Sequence, residues 1–265
     1  SIRRRAGSSG WSAATVPAVY LANPTTREIT PVAFGIQSET ELVDRVMAML
    51  EDDLHCMAVR LRHDSTVVLA VDAYGDRMPW SPCPGAEAKL AQTFAGLPLA
   101  EVTARRDKQQ NCTHLHDLAV MAAAHAGDTA PVEYRVEVSD PREGVRVLQV
   151  SRDGALVHRW IERDHVLAAP PAIAGQAVIA LRDWIATLSG AGQEAARLLQ
   201  WCALVAHGRQ MSDEQRHGTL VHRPSCYTMQ PGRVQGATAL CGMQDFTGRE
   251  DRLLAGLRER FEAHF

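Results

Sequence analysis

Pro131-Val132-Glu133-Tyr134-Arg135-Val136-Glu137-Val138 alternates apolar and charged side chains without a break. Successive side chains of a pleated chain point to opposite faces. Val132, Tyr134, Val136 and Val138 therefore share one face, and the stretch reads as a strand with one side on a core. Onward in the chain, Val145 to Val150 and Ala155 to Ile161 flank Arg152-Asp153-Gly154, whose Asp-Gly step reaches positive φ at little cost and closes a hairpin. Backward, Leu54 to Leu61 and Thr66 to Ala73 flank the polar Arg62-His63-Asp64-Ser65 and form a second antiparallel pair. Strands that pair with their sequence neighbours predict an antiparallel sheet; the regular β-α-β rhythm of a parallel protein is absent.

Helical spacing fills the rest. Leu42, Val43, Val46, Met49 and Leu50 form a stripe behind a Ser38/Glu41 capping box and predict a helix there. Residues 85–95 read as a short helix ended by Gly96. The prolines at 79, 82 and 84 make the preceding segment, with Trp80 and Cys83, a loop that crosses the surface or rims a site. Val178, Leu181, Ile185 and Leu188, then Leu198, Trp201, Cys202 and Val205, predict a helical hairpin broken at Ser189-Gly190. Ser212 with Gln215 and Thr247 with Glu250 are further capping boxes, the second opening a terminal helix that faces Leu253, Leu254, Leu257 and Phe261 inward. The expected fold is α+β, an antiparallel sheet built from hairpins and packed against a helical C-terminal layer. Residues 15–265 are expected to form a single domain behind a disordered tail, 1–14. The alternative is a subdivision near 165–172, where Ala168-Ala169-Pro170-Pro171-Ala172 interrupts the pattern.

At 265 residues, 46% hydrophobic and 22% charged, the chain has enough apolar mass to fold without disulfide or metal staples. A net charge of −3 argues against a nucleic-acid partner, whose phosphates call for concentrated Lys and Arg. The six cysteines form no C-x-x-C pair and are expected as reduced thiols. No run reaches the length of a membrane span, and the basic start at Arg3-Arg4-Arg5 has no apolar signal core behind it, so a cytoplasmic protein is expected.

The densest group of reactive side chains is Cys112-Thr113-His114-Leu115-His116-Asp117-Leu118, running on to His125. With Thr113 as N-cap, a helix to about residue 126 puts His114, Asp117, Leu118, Met121 and His125 on one face. His116 then points about 200° away from His114, which weakens a shared metal site for the two. His114 beside Asp117 suits an imidazole oriented by a carboxylate for acid–base work. The plainer assignments are capping roles for His114 and His116, a packed histidine for His125 and a small buried hydrophobe for Cys112. A second group, His222-Arg223-Pro224-Ser225-Cys226-Tyr227 to Arg233, sits in a segment framed by proline and glycine. There Tyr227 would donate a proton or bind a phenol, and Arg223 or Arg233 would hold an anionic oxygen; Tyr227 anchoring its own loop is the alternative. No other His-to-acid spacing stands out, and phosphate-loop, dinucleotide and G-x-S-x-G patterns are absent.

Cys112-Thr113-His114-Leu115, preceded by Gly96-Leu97 and by Pro79 to Cys83 after a hairpin, resembles the signature of a widespread proteobacterial family of unknown function over roughly residues 50–126. Asp117 replaces the glutamate of that family's Cys-Thr-His-Leu-x-Glu-Leu form. The resemblance implies no residue roles. A fainter similarity is to sphingomonad proteins that process lignin-derived aromatic dimers, including cofactor-free lyases that expel formaldehyde; it implies a substrate class. The resulting expectation is a cofactor-independent acid–base lyase on a small aromatic substrate. His114 is its base, Asp117 the orienting group and Tyr227 or an arginine the donor, with Arg223, Arg233, His125 and Trp80 around the substrate and no metal. The alternatives are a metal-dependent hydrolase or lyase using His114, Asp117 and a distant His such as His222, and a ligand-binding protein without chemistry. A homodimer through the helical layer is compatible with each.

Overall fold

A computed structural model describes residues 13–15, 18–22, 28–32, 39–108, 110–208, 211–212, 214–215, 218, 226–244, 246 and 252–264. Its strands are β1 (Ala13–Thr15), β2 (Ala18–Ala22), β3 (Glu28–Val32), β4 (Glu39–Glu51), β5 (Cys56–His63), β6 (Val68–Arg77), β7 (Val132–Ser139), β8 (Val145–Arg152), β9 (Ala155–Arg163) and β10 (Val166–Ala169). They run antiparallel in the order β10-β9-β8-β7-β2-β4-β5-β6, with β1 also on β7 and β3 also on β4. The helices are α1 (Gly85–Phe94), α2 (Leu99–Ala104), α3 (Thr113–Ala124), α4 (Arg182–Ala186), α5 (Gly190–His207) and α6 (Leu257–His264). The architecture is α+β, and among the described residues no helix is long and apolar enough to cross a membrane.

The expected hairpins are present. β7 buries Val132, Tyr134, Val136 and Val138 and turns Glu133 and Arg135 to solvent. β8 and β9 are joined through Asp153 and Gly154 at φ 49° and 80°, the left-handed pair that matches the twist of flanking strands. β5 and β6 pair as expected, but Arg62 and His63 of the polar cluster belong to β5 and the turn is Asp64 to Val67, where Asp64 accepts the amides of Thr66 and Val67.

The expected helix after Ser38 is instead β4, a 13-residue central strand between β2 and β5; Ser38 itself lies outside the described residues. A strand covered on both faces has no polar side to alternate with, so its apolar run imitates a helical stripe. Val46, Ala48 and Leu50 enter the main core with Met57, Val59 and Leu61 of β5. Met47 and Met49 face the other way and pack with Cys56, Ala58, Leu257 and Phe261 under α6. The helical layer is likewise wider than expected, since mid-chain α1 and α3 pack on β4–β6 while α5 covers β7–β9. The first arm of the expected helical hairpin shortens to a 3-10 turn at Val178–Ala180 and the five residues of α4, although Val178, Leu181 and Ile185 are buried as expected.

β10 continues the sheet beyond β9, through the region weighed as a boundary. The Ser212/Gln215 capping box forms in both directions. The Thr247/Glu250 box and residues 1–12 of the expected tail lie outside the described residues.

Candidate functional site

α3 and α5 lie over neighbouring halves of one sheet face, and between them runs a groove of about 1620 Å³. Its described lining brings together five of the residues singled out from the sequence, namely Trp80, His114, Asp117, His125 and Tyr227. The helical spacing from Thr113 thus holds, with Met121 also on the groove and His116 turned away against Phe94, ring centroids 5.1 Å apart. α3 is capped by Cys112 rather than Thr113, and burial pushes the Cys112 thiol up to about 12, so it is a packed thiol and not a nucleophilic thiolate.

His114 and Asp117 do not pair. Asp117 takes the ammonium of Lys108 and lies 3.6 Å from His116 Nδ1. Burial first, and then the facing His55, push the His114 imidazole down to about 3, so it stays neutral. Its Nε2 is buried without a hydrogen-bond partner among the described residues, 3.8 Å from Asp52 Oδ2.

Asp52 belongs to a tight turn between β4 and β5 and is not among the residues that sequence spacing singles out. Oδ1 accepts the backbone amides of Leu54 (2.8 Å) and His55 (2.7 Å), closing an Asx turn, and lies 3.0 Å from His55 Nδ1. Arg77 clamps the turn from β6, donating to the carbonyls of Asp52 (2.6 Å) and His55 (3.2 Å) and to Glu51 (3.1 Å). Burial alone would raise the Asp52 carboxyl, but the His55 contact outweighs it and holds the group well below the usual carboxylate range. An ionised Asp52 fixes the tautomer with hydrogen on Nδ1 of His55. The other ring nitrogen, Nε2, makes no hydrogen bond with any described residue, and His55 lines the groove. The His55 and His114 rings stack 3.7 Å apart, and His114 in turn meets Trp201 of α5 at 4.8 Å.

Asp52, His55 and His114 are also a set that would hold a cation, with donor atoms within 4.8 Å of one another. Their geometry fits this poorly. Imidazoles on one ion aim in-plane lone pairs at it from about 2.0–2.1 Å, which spreads the rings apart, whereas these are stacked with 29° between their planes. A second set, Glu162, His165 and His207, already has the Arg146 guanidinium 3.6 Å from Glu162 as its cation.

The remaining candidates divide. His125 is engaged at both ring nitrogens, by Asp128 (2.6 Å) and Glu194 (2.8 Å), and ties the end of α3 to α5. Tyr227 rests on Gly85 at the start of α1, where an added Cβ would meet its Oη at 2.6 Å; the hydroxyl has no partner among the described residues. Arg233 does not line the groove: its guanidinium lies 3.9 Å over the Tyr227 ring and donates to the Tyr227 carbonyl, so it fixes the tyrosine instead of an anion. Arg223 and His222 lie outside the described residues.

Fold and site together define an α+β protein with a carboxylate–histidine pair opening on a groove between two helices. Residues 36–127, which carry Asp52, His55 and His114, match the model of a family described as "Protein of unknown function (DUF2889)". Residues 4–47 match a model described as "F plasmid transfer operon protein" (TraF). No curated protein and no solved structure matches the chain.

Proposed function

We propose that the protein is an enzyme that carries out acid–base chemistry on a small aromatic molecule bound between α3 and α5, with His55 as base. The observation that supports this is the Asp52–His55 pair: one imidazole nitrogen is spent on a carboxylate, the other makes no hydrogen bond with any described residue, and His55 lines the groove. His114, cast as base from the sequence, is too weak a base at about 3. It serves here as a neutral hydrogen-bond donor or acceptor beside the reacting atoms. Asp117 moves from orienting His114 to holding Lys108.

The reaction class remains the carbon–carbon lyase of the sequence reading, in its formaldehyde-releasing form. His55 takes the proton of a hydroxymethyl group on a lignin-derived dimer, and the O–H electron pair closes the carbonyl of formaldehyde. The C–C pair passes to the remaining carbon, which is protonated by the His55 imidazolium, or by Tyr227 with the imidazolium proton returned to the tyrosinate through solvent. No step requires a cofactor. All six cysteines are free thiols, which supports a reducing, cytoplasmic setting.

The test is formaldehyde release from such a dimer. His55→Gln and Asp52→Asn should each lower turnover about 100-fold or more, with circular dichroism unchanged. Full turnover in His55→Gln sinks the assignment. Metal analysis of the purified protein separates it from the metal-dependent alternative, which requires stoichiometric zinc, iron or manganese.

A further inference from the structure

We infer that the groove takes an aryl carboxylate, its anionic group held by Arg197 of α5 and Arg106 of the loop after α2. The inference rests on the groove being the substrate site and adds the class of molecule it selects. Arg197 is half-buried on the groove wall and makes no hydrogen bond or ion pair with any described residue. Partial desolvation of a guanidinium costs free energy that an opposite charge or good acceptors offset.

The nearby acids are committed elsewhere, Asp117 to Lys108 and Glu194 to His125. The charge that acts on Arg197 next after burial is the like charge of Arg106, and together they push its pKa down. Arg106 uses Nη1 on the carbonyls of Thr103 and Arg105, both at 2.7 Å, and its other guanidinium donors engage no described residue. Among the described residues that line the groove, six Lys and Arg stand against four Asp and Glu, in a chain whose net charge is −3. Asp117 and Glu194 still reach Arg197, and that field suits the single charge of a carboxylate better than the near-double charge of a phosphate.

Arg197 lies one helical turn before Trp201, about 6 Å along the axis. Trp201 contacts His114, and His114 stacks on His55. Carboxylate, aromatic ring and reacting carbon of one molecule can thus meet guanidinium, indole and imidazole in that order. A planar carboxylate matches the parallel N–H donors of a guanidinium.

Calorimetric titration of the full chain with benzoate and with benzyl alcohol tests the inference. Benzoate should bind about tenfold more tightly or better, as expected for a charge-assisted pair. The preference should weaken with added sodium chloride and disappear in Arg197→Gln and in Arg106→Gln. Arg197→Lys, which keeps charge but loses the fork, should retain only part of it. Equal affinity for the two probes, no measurable benzoate binding to the wild type, or an unaltered preference in folded Arg197→Gln would each overturn the inference. His55→Gln should keep the benzoate preference while losing turnover, so a failure of the catalytic reading is distinguishable from a failure of this one.

Discussion

Asp52 Oδ1 accepts two backbone amides as well as facing the His55 ring, so the residue that orients the histidine also shapes the turn that carries it. This coupling explains why the pair is hard to see in the sequence. Asp-x-x-His across a four-residue connection looks like ordinary turn chemistry, and the run before it carries helical spacing. Tyr227 gives a separate test. Gly85 is the first residue of α1, where alanine gains little propensity over glycine, and a Cβ there would meet Tyr227 Oη at 2.6 Å and Cζ at 3.2 Å, with the ring clamped by Arg233. Net destabilisation of about 1–2 kcal/mol is expected by urea unfolding. In a Tyr227→Phe background, where the closest contact is gone, the same change should approach neutrality.

At the scale of elements, α3 and α5 are joined by His125 between Asp128 and Glu194. Burial alone would lower the His125 pKa, but the two carboxylates outweigh it, Glu194 first, and raise it above 6.5. A folded pKa above the unfolded one means that the imidazolium stabilises fully below the unfolded value and loses that contribution as pH rises through the folded value. The melting-temperature gap between wild type and Glu194→Gln should therefore be widest near about pH 6 and narrow as pH rises beyond neutrality. A gap constant with pH would mean that the contact acts without the proton. The same helices were largely legible from spacing, as α1, α3 and α5 show. β4 was not, because methionine and alanine favour helices locally and only pairing with β2 and β5 fixes the extended state.

Across the whole molecule, most of the core lies between the sheet and α1, α3 and α5, while α6 covers the opposite face over Met47 and Met49. α6 is held mainly by Leu257 and Phe261, both fully buried. Hydrogen exchange should accordingly open α6 well before β4, β5 and β8. Phe261→Ala, at a cost of about 3 kcal/mol if the cavity persists, should speed exchange in α6 and leave the groove intact. Accelerated exchange throughout β8 and β9 would contradict this division.

The sequence by itself determined what local periodicity and turn chemistry control: the alternation of β7, the Asp153-Gly154 hairpin, the helical face carrying His114, and the antiparallel α+β class. Tertiary structure alone decided what depends on covering both faces of a sheet and on bringing distant turns together. A strand buried on both sides carries no period-two signal, so β4 could be assigned only once α6 and the main core were in place. The approach of His114 to Asp52 and His55, from positions some sixty residues apart in the sequence, is a consequence of α3 crossing the β4–β5 turn, which no local spacing encodes.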